Sequence, residues 1–436
     1  MLAVDPLNTT FAELLLAATA HRPGGVVVGL GETRLTYGQL AGAVGALEAG
    51  LQEMGVRAGD RLGILFPSTS QFFIAFFAAQ VCGAETVMCN TLHSASEMAY
   101  VLNDSGAQWL VALNVFEETL SQVLPQCPGL RGVVVAGETA LEGVGSFEQM
   151  IQANLGREPI PKRRSAEEVA VLMYTSGTTG RSKGAMLSHR NIIFDAAAAS
   201  QVLDLTLDDS MIGCLPLFHA YGFTVNLVLA VLNCLPVRLL PRFAGASALE
   251  LMETERVTVL AAVPAMYQMM LRTRRTPDYD LSALRIAVSG GAPMPVEVMA
   301  AFEERFGVYT MEGYGPTEAA PIVSVNRLHG QRKVGSVGLP LPGVEVRVVD
   351  DDGTVLGTGE VGELAVRGPN VMLGYWKAPE ATAETVVDGW LLTGDMASID
   401  EDGYIYIVDR KKDMIIVGGM NVYPREVEDI IYSLPQ

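Results

Sequence analysis

Four short segments within the first 140 residues are apolar at successive positions rather than alternate ones: RLGILFP at 61–67, AETVMCN at 84–90, QWLVALN at 108–114 and GVVVAG at 132–137. A strand that is apolar throughout has both of its faces covered. The segments between these strands are long enough to be helices, residues 70–82 being the clearest, so the pattern predicts a doubly wound α/β unit. The polar run PKRRSAEEV at 161–169 reads as a surface connection. Beyond it, apolar segments near 238, 257, 284 and 308 resume the alternation. The expected organisation is therefore one α/β subdomain over 1–165 and a second over 166–333. From about residue 334 the texture changes to short alternating segments with D-G and G-T-G turns, which predicts a small, mainly β subdomain over 334–409. A helix is expected to begin near Pro424, but 410–436 is too short to bury a core of its own. With 436 residues, more than one hydrophobic core is expected.

The formal net charge is −19, from 49 acidic and 30 basic residues. This counts against a nucleic-acid surface, which needs concentrated Lys and Arg. A few local cations and aligned N–H groups can still hold a small phosphorylated ligand. The five cysteines, Cys82, Cys89, Cys127, Cys214 and Cys234, are scattered and form no C-x-x-C pair. They read as small buried hydrophobes in a reducing compartment. The N-terminal segment has no basic n-region, and Thr10 to Glu13 reads as a capping box. The apolar stretches 72–84 and 223–237 are short of a membrane span and read as core elements. A cytoplasmic location is expected, with peripheral contact with a bilayer compatible. The sequence carries no sign of oligomeric state.

The strongest local signal is YTSGTTGRSKG at 174–184, directly after the strand-like VAVLM. Gly177, Gly180 and Gly184 permit tight turns that aim N–H groups at one point. Thr175, Ser176, Thr178 and Thr179 add hydroxyls, and Lys183 adds a point charge, a set suited to a polyphosphate. The spacing is not that of a Walker loop. Further motifs follow in order: CLPLFH at 214–219, GGAP at 290–293, YGPTE at 314–318, LLTGD at 391–395 and YIVDRKKD at 406–413. With these, the sequence resembles the superfamily of AMP-forming acyl-CoA synthetases and related adenylate-forming enzymes, most closely its medium- and long-chain fatty acyl-CoA ligases, from about residue 10 to the end.

The resemblance implies a large N-terminal domain over 1–409, with two doubly wound α/β subdomains and a small distorted β-barrel. Residues 410–436 would be the hinge and only the start of a small C-terminal α+β domain. It implies ATP, Mg²⁺ and coenzyme A as partners of a fatty acid or related monocarboxylate. The acid would be activated as acyl-adenylate with release of pyrophosphate, then passed to CoA by the full-length enzyme. Lys183, Thr178, His219 and Glu318 would act at the reacting groups, with Glu318 also associated with the metal. Thr175, Ser176, Gly177, Thr179, Gly180 and Thr317 would serve the phosphates. Tyr314 and Gly315 on one side and Gly291, Ala292 and Pro293 on the other would flank the base. Asp395 would accept both ribose hydroxyls, with Arg410 nearby. The acyl tail is expected along Phe218, His219, Val225, Val263, Met266, Gly290 and Gly291. These are apolar or small apart from His219, which would orient or gate the carboxylate. No zinc site is expected from the spacing of the histidines.

Lys412 matches the family's hinge, and Gly418 and Gly419 resemble the loop beside which pantetheine enters. The family's adenylation lysine lies past residue 436. The chain as written is thus expected to bind ATP or acyl-adenylate but to make adenylate slowly and form little thioester. Other functions compatible with the sequence are loading of a carrier protein, aryl-CoA ligation, a luciferase-like monooxygenase, and a non-catalytic protein that binds acyl-adenylates.

Overall fold

The computed structural model describes residues 1–175 and 181–412, and the backbone of Ile415–Val417 and Met420–Val422. Ser176, Gly177, Thr178, Thr179, Gly180, Gly418, Gly419 and the helix expected near Pro424 lie outside the described residues.

The apolar strands form the sheet expected of them. Arg61–Leu65 lies between Glu85–Met88 and Trp109–Leu113, parallel to both. Gly132–Ala136 extends the sheet on one side and Val169–Thr175 on the other, again in parallel. Lys183–Ser188 then turns back antiparallel to Val169–Thr175, and the two-residue strand Gly374–Tyr375 closes that edge. The helix Ser70–Val81 is apolar on all sides because ten of its residues are buried. That is the mark of an internal helix.

A second sheet runs in parallel through Val237–Leu239, Met211–Gly213, Val259–Ala262, Ile286–Ser289 and Thr310–Tyr314. Its strands match the apolar segments near 238, 257, 284 and 308. The other apolar stretch forms a buried helical segment, Ala220–Phe223 and Ala230–Leu232 with a π-helical turn over Thr224–Leu229 between them. Among the described residues, no helix is long and apolar enough to cross a membrane. Phe11, Phe76 and Phe223 meet edge to face, with centroids 4.9–6.0 Å apart, and lock the first helix, Phe11–His21, onto both layers.

The sheets do not divide at residue 165. Val26–Leu30 and Thr33–Thr36 belong to the second sheet, where Val26–Leu30 pairs with Val237–Leu239, and Val169–Thr175 and Lys183–Ser188 belong to the first. Strand pairing is non-local, and the polar run at 161–169 marks a surface crossing, not a change of sheet. The third sheet is antiparallel and comprises Glu345–Val349, Gly362–Arg367, Val386–Val387, Trp390–Ile399 and Ile405–Arg410. Its hairpins turn at Gly353 and Gly403, both at positive φ, as the D-G pairs predicted. All five cysteines are buried and unpaired, and burial pushes the Cys89 and Cys214 thiols up to about 12.

The capping box of Thr10 and Glu13 is present, and the first helical N–H of that helix, at Phe11, donates to His189 Nδ1 at 3.2 Å. Burial pushes the His189 imidazole down to about 3 from its usual 6.5. The folded state therefore holds it neutral where the unfolded chain would protonate it. Stability is fully present above pH 6.5 and is lost as pH falls towards 3. Thermal melts between pH 7 and pH 5 should show a Tm that falls with acidification, and the slope should be shallower in His189→Gln.

Candidate functional site

The three sheets meet around Lys183, Glu318 and Asp395, one residue from the neighbourhood of each. Thr175 and Lys183 are directly opposed in the antiparallel ladder, so both ends of the glycine-rich segment are held together. This differs from a strand-to-helix phosphate loop, because the chain leaves and returns on neighbouring strands of one sheet edge. Lys183 Nζ lies 5.2 Å from the centre of the Tyr375 ring. The Tyr375 hydroxyl donates to Glu318 Oε1 at 2.7 Å, and the Thr175 hydroxyl reaches the same oxygen at 3.4 Å. Tyr375 was not singled out from the sequence. A two-residue strand has no periodicity to reveal it, and its partner lies 57 positions away.

The YGPTE motif leaves the strand Thr310–Tyr314 as a tight turn. A Cβ on Gly315 would lie 1.9 Å from the Pro321 carbonyl oxygen, so only glycine fits there. Thr317–Ala319 is a single 3₁₀ turn, fastened on several sides. The Asn370 amide donates to the Ala319 and Ile322 carbonyls at 3.1 and 3.0 Å. Met372 N–H donates to the Glu318 carbonyl at 2.8 Å, and the Thr224 hydroxyl to the Ala320 carbonyl at 2.9 Å. The Glu318 carboxylate is thus carried on a rigid turn.

Asp395 faces Arg410 across the ladder, and Tyr314 donates its hydroxyl to Asp395 Oδ2. Burial raises the Asp395 carboxyl, while Tyr314 and then Arg410 oppose the rise. Glu363 braces this corner. Its carboxylate accepts from Gly394 N–H and from the Lys411 ammonium, each at 2.9 Å, and Lys411 N–H donates to the Gly394 carbonyl at 2.8 Å. Lys411 also pairs with Asp351 at 2.8 Å. Lys412 follows in an exposed turn.

Next to Tyr314 opens an apolar cavity holding about 650 Å³ not filled by protein atoms, part of it open to solvent. Tyr221, Val225 and Leu229 form one wall at i, i+4 and i+8, and Ala199 and Leu203 of the helix His189–Leu203 another. The strands contribute Met211, Val259, Ala261 and Val288. Of the residues expected along the tail, Val225, Gly290 and Gly291 line this cavity. Phe218 is buried in the same cluster as Val225, Met266 lies partly buried against that cluster, and Val263 sits beside Gly291 at the cavity's edge. A Cβ on Gly290 would press on the Tyr221 ring at 3.2 Å. Gly291, Ala292 and Pro293 form an exposed rim. His219 is exposed at the N-terminus of Ala220–Phe223, and is not a cavity-lining residue. Desolvation, then the charge of His93, hold its imidazole below the usual range.

The family model for AMP-binding enzymes matches residues 16–376. A feruloyl-CoA synthase from an Amycolatopsis species is 38% identical over 419 residues, which is 96% of this chain and 80% of that synthase. A long-chain-fatty-acid–CoA ligase of Salmonella typhimurium is 35% identical over 447 residues, covering 95% of this chain and 79% of that ligase. The crystal structure of the anthranilate CoA ligase AuaEII in complex with anthranoyl-AMP matches with a TM-score of 0.94 at 29% identity, over 99% of this chain and 83% of that one.

Asn370 is fully buried, and Asn370→Ala would strand the Ala319 and Ile322 carbonyls, at about 1–3 kcal/mol for each orphaned group. The variant should melt several degrees lower and bind ATP more weakly by calorimetric titration. Unchanged values for both would show that the turn holds its shape without this amide.

Proposed function

Because this chain belongs to the family of AMP-binding enzymes and has the ATP-dependent adenylation chemistry of acyl-CoA ligases, we propose that its acid is an unsubstituted medium- to long-chain fatty acid, with coenzyme A as the acceptor. One observation carries this reading: the cavity beside Tyr314 is apolar along its length and has no charged side chain in its lining. Ala262 pairs with Ser289, and Val259, at the level of Met211, lies three residues earlier. The distance from the rim at Gly290 to this deep end is roughly 10–13 Å at the rise of a β-strand, less than an extended long-chain acid needs, so the medium-chain end of the range fits it best. The two phenols in the wall are already engaged, Tyr221 with the Val288 carbonyl at 3.4 Å and Tyr314 with Asp395. Neither phenol is therefore free to take a ring hydroxyl, a methoxy group or an aryl amine. The feruloyl-CoA and anthranilate relatives make aryl acids the second reading.

A carboxylate is a poor electrophile because its leaving group would be oxide. In adenylation its oxygen forms a bond to the α-phosphorus of ATP, the bond to the bridging oxygen breaks, and pyrophosphate departs with that electron pair. The product is a reactive mixed anhydride. The protein's contribution is to align two anions and to offset charge on the phosphoryl oxygens. In our reading Lys183 and Thr175, with the hydroxyls of 176–179 and Thr317, hold the phosphates. Asp395 accepts from the ribose hydroxyls, Arg410 supplies a fixed positive fork, and Tyr314 covers the base. His219, exposed at the start of Ala220–Phe223, orients the incoming carboxylate in this reading. Among the described residues no cluster of three acidic, His or Cys groups could cage a metal alone. Magnesium nonetheless suits one carboxylate plus substrate phosphates, and Glu318 offers that carboxylate. When bound there it would neutralise phosphate charge. We place the hinge at Lys412, beyond the anchor that Glu363 and Asp351 make with Lys411.

Pyrophosphate release by the purified protein, with acids of graded length alongside ferulate and anthranilate, tests the substrate. Saturated acids should be preferred, and Ala261→Phe, which fills the cavity midway, should shift the optimum to shorter acids while leaving the KM for ATP nearly constant. A preference for ferulate or anthranilate would overturn the fatty-acid reading.

A further inference from the structure

We propose that Tyr375 is a positioning residue for magnesium-dependent nucleotide binding, acting on Glu318 through its hydroxyl and on Lys183 through its ring. The inference rests on the reading above that Glu318 faces the metal and Lys183 the phosphates. Its geometry is independent of that reading. The hydroxyl donates to Glu318 Oε1 at 2.7 Å, and the Lys183 ammonium sits 5.2 Å from the ring centre. One side chain thereby touches an anion and a cation from different sheets and sets their separation.

The backbone beneath Tyr375 is held firmly enough to do this. Tyr375 pairs with Ala185 at the sheet edge, two residues past Lys183, so the cation and the ring rise from adjoining strands. Its N–H donates to the Thr382 hydroxyl at 2.8 Å. Gly374 sits at φ +131, and a Cβ there would strike Thr382 at 2.6 Å, so the approach to the helix Pro379–Thr385 is close. On the other side Trp376 N–H donates to the Gly184 carbonyl at 2.8 Å, and its indole N–H to the Asp104 carbonyl at 2.9 Å. With Oε1 occupied by this donor, the carboxylate is fixed in rotation and Oε2 becomes the oxygen directed at a cation. The ring meanwhile holds the ammonium by its face, a weaker constraint that leaves the three N–H donors of Lys183 free for phosphate oxygens.

The test is ATP binding measured by calorimetry and by ligand-induced Tm shift across a magnesium series, with the metal-free titration alongside. Tyr375→Phe removes only the hydroxyl and should raise the half-saturating magnesium concentration about tenfold, as for a lost hydrogen bond to a charged group. Tyr375→Leu also removes the ring and should weaken metal-free ATP binding about threefold further than Tyr375→Phe. In a Glu318→Gln background, Tyr375→Phe should shift the magnesium dependence less than twofold, because the group it orients is gone. If Glu318→Gln abolishes the magnesium dependence while Tyr375→Phe stays within twofold of the parent, the positioning role is overturned and the Glu318 reading stands. If Glu318→Gln leaves the magnesium dependence intact, both fall together.

Discussion

Buried carbonyls that reach no helix or sheet partner need a donor from elsewhere, and at Ala319 and Ile322 that donor is the side-chain amide of Asn370. The residues on either side of Asn370 are tied in turn. The Pro369 and Val371 carbonyls accept from Asn191, at the start of the helix His189–Leu203. One strap, 368–375, therefore joins the turn that carries Glu318, the helix that walls the apolar cavity, and the sheet edge that presents Lys183. The bond from Asn370 to the Ala319 carbonyl is buried and the others are partly so, which makes the strap costly to loosen and holds the turn beneath the carboxylate.

The same region shows how an acidic protein can accommodate a polyanion. The net charge is −19, yet the cleft gathers Lys183 and Arg410 at strand ends. The nearby carboxylates are occupied: Glu318 by Tyr375, Asp395 by Tyr314, and Glu363 by Lys411 and Gly394 N–H. Local pairing, more than net charge, sets the field at short range, since distant surface charges are screened within about 10 Å at ordinary salt. The apolar cavity continues from this polar corner past Gly290, so a ligand with a charged head and a greasy tail meets both environments in sequence.

Much of this arrangement is legible in the sequence. The apolar strands at 61–67, 84–90 and 108–114 announced a covered parallel sheet, because burial on both faces is written into every position of such a strand. Thr10 and Glu13, Gly353 and Gly403 were equally readable, since capping and turns depend on neighbours within a few residues. The motifs brought Thr175, Lys183, Glu318, Tyr314, Asp395 and Arg410 into notice, and the fold gathers them into one cleft. Phe218, Val263 and Met266 were read as tail contacts from their apolarity. Val225 lines the cavity and belongs to the same buried cluster as Phe218, so apolarity and burial by themselves do not separate a tail contact from a core residue.

What the sequence determined by itself was local and chemical: which segments are strands with two buried faces, where turns must fall, and which residues could hold phosphate, ribose or a metal. Tertiary structure decided the partners. Val26–Leu30 joins a strand 209 positions away, Val169–Thr175 and Lys183–Ser188 sit in the first sheet, and Tyr375 reaches both Lys183 and Glu318 from a strand of two residues. The reason is physical. Helix periodicity and turn chemistry are settled within a few residues, whereas strand pairing and cavity shape depend on which distant surfaces exclude water together, and no short segment encodes its own partner.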